Sequence, residues 1–525
     1  MSSNNNSFTS TACSVLIIGG GNAGFCAALA ASQKTSGRVL LIDACPPSWA
    51  GGNTYFTAGA FRTAHGGLDD LLHLLSNVDS ETAKTIDLAA YPEEEFLRDL
   101  DRVTRGQYDK ELGRELVEES NGVVKWLASQ GLIFELSFNR QAYKVDGRYK
   151  FFGGICLKTK DGGAGLVDFH QKAAKSHGIE VLYSTPARSI SKNTETGHIT
   201  VTAEQEGESF TIQTKSIVLA AGGFESSTTL RSQHMGSHWE KAHVRGTPYN
   251  KGEVLSLALD QLKAKPTGDW GGCHAVAWDA NAPKDCGDRQ VSNEFTKSGY
   301  PLGITLNIHG LRFFDEGSDL RNYTYAKFGR AILAQPEGEA FQIWDQKGVK
   351  WLRSEEYRDG VVEKIHGDTM EELAGKLLAK GLKDKEAFIR TVEGYNNSVY
   401  AHRNEHPDAK WDPAILDTLS TQSSTSTLEI PKSNWALPLD KAPFMAVKVG
   451  CGVTFTFGGL AIDPKTAGVI SAEDGSVIPG VFCAGEMVGG LFYENYPGGS
   501  GLTSGAVFGR KAGIGAAVFA EEKGL

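Results

Sequence analysis

The sequence predicts an α/β protein: a parallel-sheet domain carried by two separate segments of the chain, with an α+β domain inserted between them. Three observations predict it. The first is a glycine count of 62 in 525 residues, well above the usual ~7%, with no Gly-X-Y period to explain it as a fibre. The second is a branched, wholly apolar run, Ser14–Ile18, that meets a glycine cluster, then a small-residue helical pattern (FCAALAASQK), then a second apolar run, Arg38–Asp43. That succession is the start of a βαβ unit with buried parallel strands. The third is the return of strand-like runs and a terminal helix after Thr454, following a long stretch in which regular strands thin out.

Composition narrows the function classes. With 53 basic and 63 acidic side chains the net charge is −10, which disfavours nucleic acid and anionic lipid surfaces as partners. Apolar residues at 40% and charged residues at 22% exclude a disordered chain. No run approaches the ~18 apolar residues of a bilayer span, so a protein integral to a membrane is not expected. The eight cysteines are scattered without a Cys-x-x-Cys pair, so no metal site is expected. The polar start MSSNNNSFTSTA lacks the apolar segment of a signal peptide, no arginine precedes Arg38, and the end EEKGL is not a peroxisomal address. The expectation is a cytoplasmic protein with reduced thiols and a disordered N-terminus over 1–12.

Along the chain, the first segment of the parallel-sheet domain spans 13–268. Within it, apolar residues recur at helical spacing from Tyr91 to Gln130 (Leu112, Leu116, Val123, Val124, Leu127) until Gly131 stops them. Strands are predicted over 178–183, 199–203, 210–214 and 216–220. The insertion spans 269–452, rich in aromatics and loops, with one clear helical region over Met370–Ala401. The second segment, 453–525, holds the strand-like GLAID and GVFCAG and a helix over Leu502–Glu522.

The glycine cluster carries the first chemistry. Gly19-x-Gly21-x-x-Gly24, enclosing Asn22 and Ala23, follows a buried strand and opens a helix, and Asp43, with Ala44 after it, ends the next strand 19 residues past Gly24. In that context the glycines serve the tight turn, the approach of a pyrophosphate to backbone N–H groups, and helix–strand contact, while the acid accepts from ribose hydroxyls. Three further segments favour a flavin dinucleotide over a nicotinamide one: Gly51-Gly52-Asn53-Thr54 with the following Ala58 and Gly59, Ala220-Ala221-Gly222-Gly223-Phe224, and Gly485-Glu486 followed by Gly501-Leu502-Thr503 at the start of the last helix. A helix N-terminus there stabilises negative charge on the flavin. Ala187 completes the cofactor-binding set. The expectation is a Rossmann-like FAD-binding domain with an inserted α+β capping domain.

The set GGGNAG, GGNT, AAGGF, HGLRFFDE and CAGEMVGG resembles the fumarate reductase/succinate dehydrogenase flavoprotein family from Val15 to Gly513. The resemblance implies a mobile capping domain over a cleft that holds the active site. The covalent-flavin histidine of respiratory members would fall in Thr54–Gly59, which has none, so FAD is expected to be non-covalent. Family runs that grip a substrate carboxylate with histidine and arginine correspond here to Thr454–Gly459 and Asn495–Gly499, and both cations are missing. Plain fumarate chemistry loses charge-assisted hydrogen bonds as a result. The strings GVTFTFGG, LFYENYPGGSGLTSGAVFGR and RNYTYAKFGR look most like the tricarballylate dehydrogenase branch, implying an FAD-dependent oxidoreductase acting on CH–CH groups of a small carboxylic acid, with an unidentified electron acceptor.

For such a polyanion the candidate cations are Arg289, Arg321 and His274 in the insertion and Arg62 past the flavin loop, with Thr456 and Tyr493 as further substrate contacts. Arg321 lies near the position where the family places a proton-shuttling arginine. A guanidinium stays charged and is a poor base, so Tyr323 or Tyr325 is the alternative proton carrier, and Tyr496, one residue before Pro-Gly-Gly, is a candidate hydrogen-bond donor. Tyr-Pro-Gly also resembles the 3-ketosteroid dehydrogenases, which leaves α,β-desaturation of a ketone as a rival reading. A fumarate reductase and a non-catalytic flavin sensor are the remaining ones. Arginines converging on the cleft favour the carboxylate; an apolar cleft favours the ketone.

Overall fold

The computed structural model describes residues 9–193 and 195–522. Val15–Ile18 is buried at all four positions, as is Val39–Ile42, and both lie inside one six-stranded sheet. Its order is Glu180–Leu182, Val39–Ile42, Val15–Ile18, Ser216–Leu219, Val477–Cys483, Gly468–Ile470, with parallel pairing except at the last strand. The strand from the chain's tail pairs directly with Ser216–Leu219, so the two distant segments complete one sheet. Two helices that run against each other, Asn22–Ser32 and Ser500–Glu522, cover it. Their small faces permit close approach: a Cβ at Gly509 would lie 2.5 Å from the Ala23 carbonyl oxygen, and one at Gly513 only 2.1 Å from that of Ala27.

A four-stranded sheet flanks this core in the order Thr9–Ala12, Glu208–Thr214, Ile199–Gln205, Ala187–Lys192. Its first strand corrects the expectation of disorder over 1–12, because Thr9–Ala12 pairs in parallel with Phe210–Gln213. Residues 1–8 lie outside the described residues. The helical pattern over 91–130 also divides, into Glu93–Val103 and Lys110–Ser129. Between them Arg105 and Gly106 adopt left-handed backbone (φ 52° and 71°), and Asp109 caps the second helix.

The insertion contains more regular sheet than its composition suggests. Phe444–Thr456 is a continuous 13-residue strand that pairs with His243–Val244, Cys273–Asp279, Ala340–Trp344 and Ile365–Gly367. The predicted boundary between 452 and 453 falls inside this strand, and His243–Val244 joins it from the chain's first segment. Sequence reading missed it because glycines at 450 and 452 break the alternation that signals a strand. The helical region over 370–401 is two helices, Met370–Leu378 and Lys385–Glu405, separated at Gly381 (φ 111°). Leu373, Leu377, Phe388 and Tyr395 bury them against Ile304, Leu306 and Phe341 of the sheet. Among the described residues no helix is long and apolar enough to cross a membrane.

Candidate active site

A cleft of about 1960 Å³, its open mouth included, runs past the C-terminal ends of the parallel strands, where Ile18, Ile42, Ala220 and Gly485 line it. In open α/β sheets this edge is where ligands bind. The first helix starts here with Gly21 as its N-cap, which offers no side chain to the first N–H groups. Nothing in the protein forbids a Cβ at Gly21, whose nearest neighbour would be Thr54 Oγ1 at 3.7 Å. The space it would enter is the cleft, so the glycine keeps room for a ligand at a helix N-terminus. Gly24 differs: a Cβ there would sit 1.9 Å from the Gly19 carbonyl oxygen, so it serves helix–strand contact.

The surrounding side chains hold this end in place. The Asn22 N–H donates to Thr54 Oγ1 at 2.8 Å and its Nδ2 to the Leu502 carbonyl at 2.9 Å, tying the first helix to the 51–54 loop and to the terminal helix. Asp43 accepts from Gly20 N–H at 2.6 Å and Cys45 N–H at 2.9 Å, and its carboxylate borders the cleft. Gly19, Ala23, Ala44, Gly52, Asn53 and Ala58 also line the cleft. So do Ala187, Ala221, Gly222, Glu486, Gly501 and Leu502. Gly51, Gly59, Gly223 and Thr503 stand behind the wall: Gly51 against Val167, Gly59 against Thr159, Gly223 against Thr456, and Thr503 donating to the Arg62 carbonyl at 2.7 Å. A dinucleotide phosphate at the helix N-terminus, a ribose beside Asp43 and a ring system against the 51–54 loop all fit this donor set.

The opposite end of the cleft is cationic. His274, Tyr325 and Tyr496 line it, together with Arg245 and Arg140, which sequence reasoning missed. Arg245 follows the strand His243–Val244, and its backbone N–H is bonded to the Val453 carbonyl at 3.0 Å. Its guanidinium lies over the Trp278 indole, 5.1 Å from the ring centre, and donates to His274 Nε2 at 3.3 Å. Burial lowers it to about 10. Burial, reinforced by Arg245, holds His274 well below its ordinary value and keeps it neutral. Its ring packs edge-on to Tyr496, with centroids 4.9 Å apart.

Around Tyr325 stand Arg140 and two more guanidinium groups, Arg321 and Arg353, behind the wall. Arg353 donates to Glu356 at 2.7 Å, and Arg140 bonds Glu355 at 3.0 Å. Arg321 is sandwiched between Tyr143 and Phe152, with centroid distances of 5.1 and 5.3 Å, and donates to the Arg140 carbonyl at 3.1 Å. Glu356 is the fully buried counter-charge: burial pushes it up, but Arg353 and Arg140 bring it down to about 2. For Tyr325, burial pushes the phenol up, yet Arg353, Arg321 and Arg140 outweigh it and bring the net below the ordinary value. Tyr496 goes the other way, pushed up by burial to about 12. The two phenols are thus pushed in opposite directions, the pattern by which neighbouring groups can take separate acid and base roles.

Other candidates stand elsewhere. Arg321 is buried behind the wall rather than in it. Tyr323 and Arg62 form a closed network: the Tyr323 hydroxyl donates to Asp99 at 2.5 Å, and Arg62, fully buried, bonds the Tyr91 hydroxyl and the Gly498 carbonyl at 2.8 Å each. Arg289 stacks 3.4 Å from the Tyr55 ring centre, on the 51–59 flavin segment, and donates to the Ala50 carbonyl at 3.4 Å. Thr456 Oγ1 turns to Glu486 at 3.1 Å, and Tyr493 lies outside the lining. The missed Arg245 carried one signal, a charge beside Gly-Thr at the end of a short apolar stretch; Arg140, in FNRQAY, carried none.

The model of the family described as "FAD binding domain" matches residues 14–502. The chain is 28% identical over 519 residues to a protein named "Probable fumarate reductase Ifc3" from Shewanella frigidimarina (strain NCIMB 400), covering 97% of this chain and 75% of that one. Its fold is similar to that of a flavocytochrome c3 fumarate reductase in an open conformation, with a TM-score of 0.71 at 25% identity over 98% of this chain and 79% of the other. It is also similar in fold to the 3-ketosteroid Δ1-dehydrogenase of Sterolibacterium denitrificans, with a TM-score of 0.71 at 18% identity over 97% and 100% of the two chains. The glycine-lined cleft and these matches agree on the cofactor and the class: the chain belongs to the fumarate reductase/succinate dehydrogenase family of FAD-dependent oxidoreductases.

Proposed function

We propose that the enzyme interconverts a carbon–carbon single and double bond next to carboxylate groups, with a small polycarboxylate of the tricarballylate type as substrate. The observation that carries this reading is the excess of buried positive charge at one end of the cleft. Arg245 and Arg140 line it and Arg321 and Arg353 back it, against the carboxylates Glu355 and Glu356. An unpaired buried guanidinium is costly, and a substrate carboxylate that accepts from Arg245 supplies the missing partner, at about 1.5–3 kcal/mol per charge-assisted hydrogen bond. These arginines take the place of the histidine and arginine absent from Thr454–Gly459 and Asn495–Gly499.

In the direction of oxidation the substrate loses a hydride from one carbon and a proton from its neighbour. FAD held along the wall of Gly21, Asp43 and the 51–54 loop would supply the hydride acceptor. Tyr325 takes the proton, because the three guanidinium groups around it, Arg140, Arg321 and Arg353, stabilise its phenolate. Tyr496 stays protonated and donates a hydrogen bond, and neutral His274 keeps Arg245 aimed. The same pair of phenols also suits removal of a proton beside a ketone, which is what favours the steroid-dehydrogenase-like alternative.

Anaerobic mixing of the flavin-loaded enzyme with tricarballylate, succinate, citrate analogues and 3-ketosteroids separates the two. Bleaching of the flavin band by polycarboxylates is expected. Bleaching by ketones alone removes the carboxylate reading, and bleaching by none favours a flavin-binding sensor.

A further inference from the structure

At the cofactor end two carboxyl groups meet inside the protein. Glu225 follows the Ala220–Phe224 turn and is 0% exposed, and Glu486 comes from the 485–487 turn in the cleft wall. The two carboxyl groups adjoin, close enough for each to act on the other's ionisation. Ionised carboxylates only accept, so two that adjoin can hydrogen-bond only while one of them carries a proton. Among the described residues neither carboxyl has an ion-pair partner, and the hydrogen bonds they accept come from neutral groups. Glu225 Oε1 accepts from Asn53 Nδ2 at 2.5 Å, while its Oε2 is buried with no hydrogen-bond partner among the described residues. Glu486 Oε1 accepts from the Thr456 N–H at 2.7 Å and Oε2 from Asn250 Nδ2 at 3.3 Å.

These partners place the pair at a junction. Asn53 lies in the 51–54 loop beside the cofactor cleft, donates also to the Thr454 carbonyl, and accepts from the Thr247 N–H at 3.0 Å. One amide therefore links the loop, the end of the long strand Phe444–Thr456 and the carboxyl pair. We propose that Glu225 and Glu486 share a single proton and act as a positioning pair for the cofactor wall, holding Asn53 in orientation and keeping that wall singly charged.

Burial and mutual repulsion both favour the shared proton: burial, then the Glu486 charge, raises Glu225, and burial raises Glu486. Arg231, on the helix Thr228–Met235, is the charged group besides Glu486 that acts on Glu225. The other partners, Asn53, Asn250 and Thr456, are neutral. Loss of the proton breaks the carboxyl–carboxyl bond and adds a second negative charge to the wall. The protonated pair therefore favours electron entry there, and its ionisation opposes it. This inference stands on FAD binding and is independent of which substrate the enzyme takes.

Spectroelectrochemical titration of the substrate-free holoenzyme tests it between about pH 5 and about pH 9, the range in which buried carboxyl groups titrate. The flavin midpoint potential of the wild type is expected to change slope with pH where the pair ionises. In Glu225→Gln, which keeps an oxygen for Asn53 and an N–H for Glu486 but shares no proton, that break is expected to vanish. Identical pH dependence in the two proteins overturns the proposal. Should the variant fail to fold, oxidised-minus-reduced infrared spectra of the wild type in H2O and D2O decide. A protonated-carboxyl C=O band that responds to flavin reduction and shifts in D2O supports the pair; its absence at neutral pH overturns it.

Discussion

Arg245 Nη1 donates to His274 Nε2 across 3.3 Å in the wall of the cleft. Arginine only donates, so Nε2 is an acceptor and the ring proton sits on Nδ1, which has no partner among the described residues. The contact fixes the tautomer and excludes a charged imidazolium there, which separates His274 from the histidines that grip carboxylates as cations.

Acid lability follows from that neutrality. His274 is held well below its ordinary value by burial and by Arg245, while burial alone brings His170 to about 3 and, opposed only by Asp70, His65 to about 4. Below the unfolded value of ~6.5 the unfolded chain binds protons that the native state refuses. Stability therefore falls as pH drops through that value, by up to about 1.4 kcal/mol per pH unit for each histidine. Urea midpoints at neutral and mildly acidic pH are expected to differ accordingly; equal midpoints contradict the buried neutral assignments.

Arg245→Met keeps side-chain volume over Trp278 and removes the cation. For a carboxylate substrate kcat/KM is expected to fall about 10–100-fold, mainly through KM, matching one or two charge-assisted hydrogen bonds. Unchanged steady-state kinetics takes Arg245 out of substrate binding.

Tyr325→Phe removes the proposed proton carrier and is expected to lower kcat at least about 100-fold. The companion variant reads the electrostatics: oxidation requires the phenolate, so rate rises with pH through the Tyr325 ionisation. Arg321→Met withdraws one of the cations that hold it down, which moves that limb of the pH–rate profile to higher pH. A limb that stays in place assigns the proton transfer to another group.

Gly21 and Gly24 are expected to fail differently. Gly24→Ala forces a Cβ onto the Gly19 carbonyl and lowers the melting temperature of the flavin-free protein. Gly21→Ala leaves that temperature nearly unchanged and lowers flavin content per chain, because its methyl group enters the cleft. Thermal scans paired with flavin absorbance distinguish the two.

Arg62→Met tests a residue that sequence reading placed near the substrate. Its guanidinium is bonded to Tyr91, Tyr323, Asp99 and the Gly498 carbonyl. Truncation removes the buried donor to the Gly498 carbonyl and to the Tyr91 and Tyr323 hydroxyls, so the loss is expected to show in denaturant stability rather than in KM.

The cofactor end was legible in the sequence because its requirements are local: a strand, a tight turn and a helix start place Gly19, Gly21 and Asp43 within one βαβ unit. Gly24, Gly223 and Thr503 show the limit of that logic, since the same motifs also supply residues that only hold the wall together. The cationic end was largely hidden. Arg140, Arg245, Arg321 and Arg353 are far apart in the chain, and only the crossing of several segments brings them around Tyr325. Tyr325 and Tyr496 were legible as tyrosines of interest, but the opposite push on their acidities arises from those distant cations and from burial.

The long strand Phe444–Thr456 has a consequence for anyone who would exchange the insertion between relatives to move specificity. At about 3.3 Å per residue it spans roughly 40 Å of continuous backbone. It is built into the insertion's sheet at Met445–Ala446 and anchors the cofactor wall through Thr454 and Thr456. A splice at its middle severs both halves at once. The exchangeable cassette therefore ends before Phe444, and the whole strand stays with the flavin half.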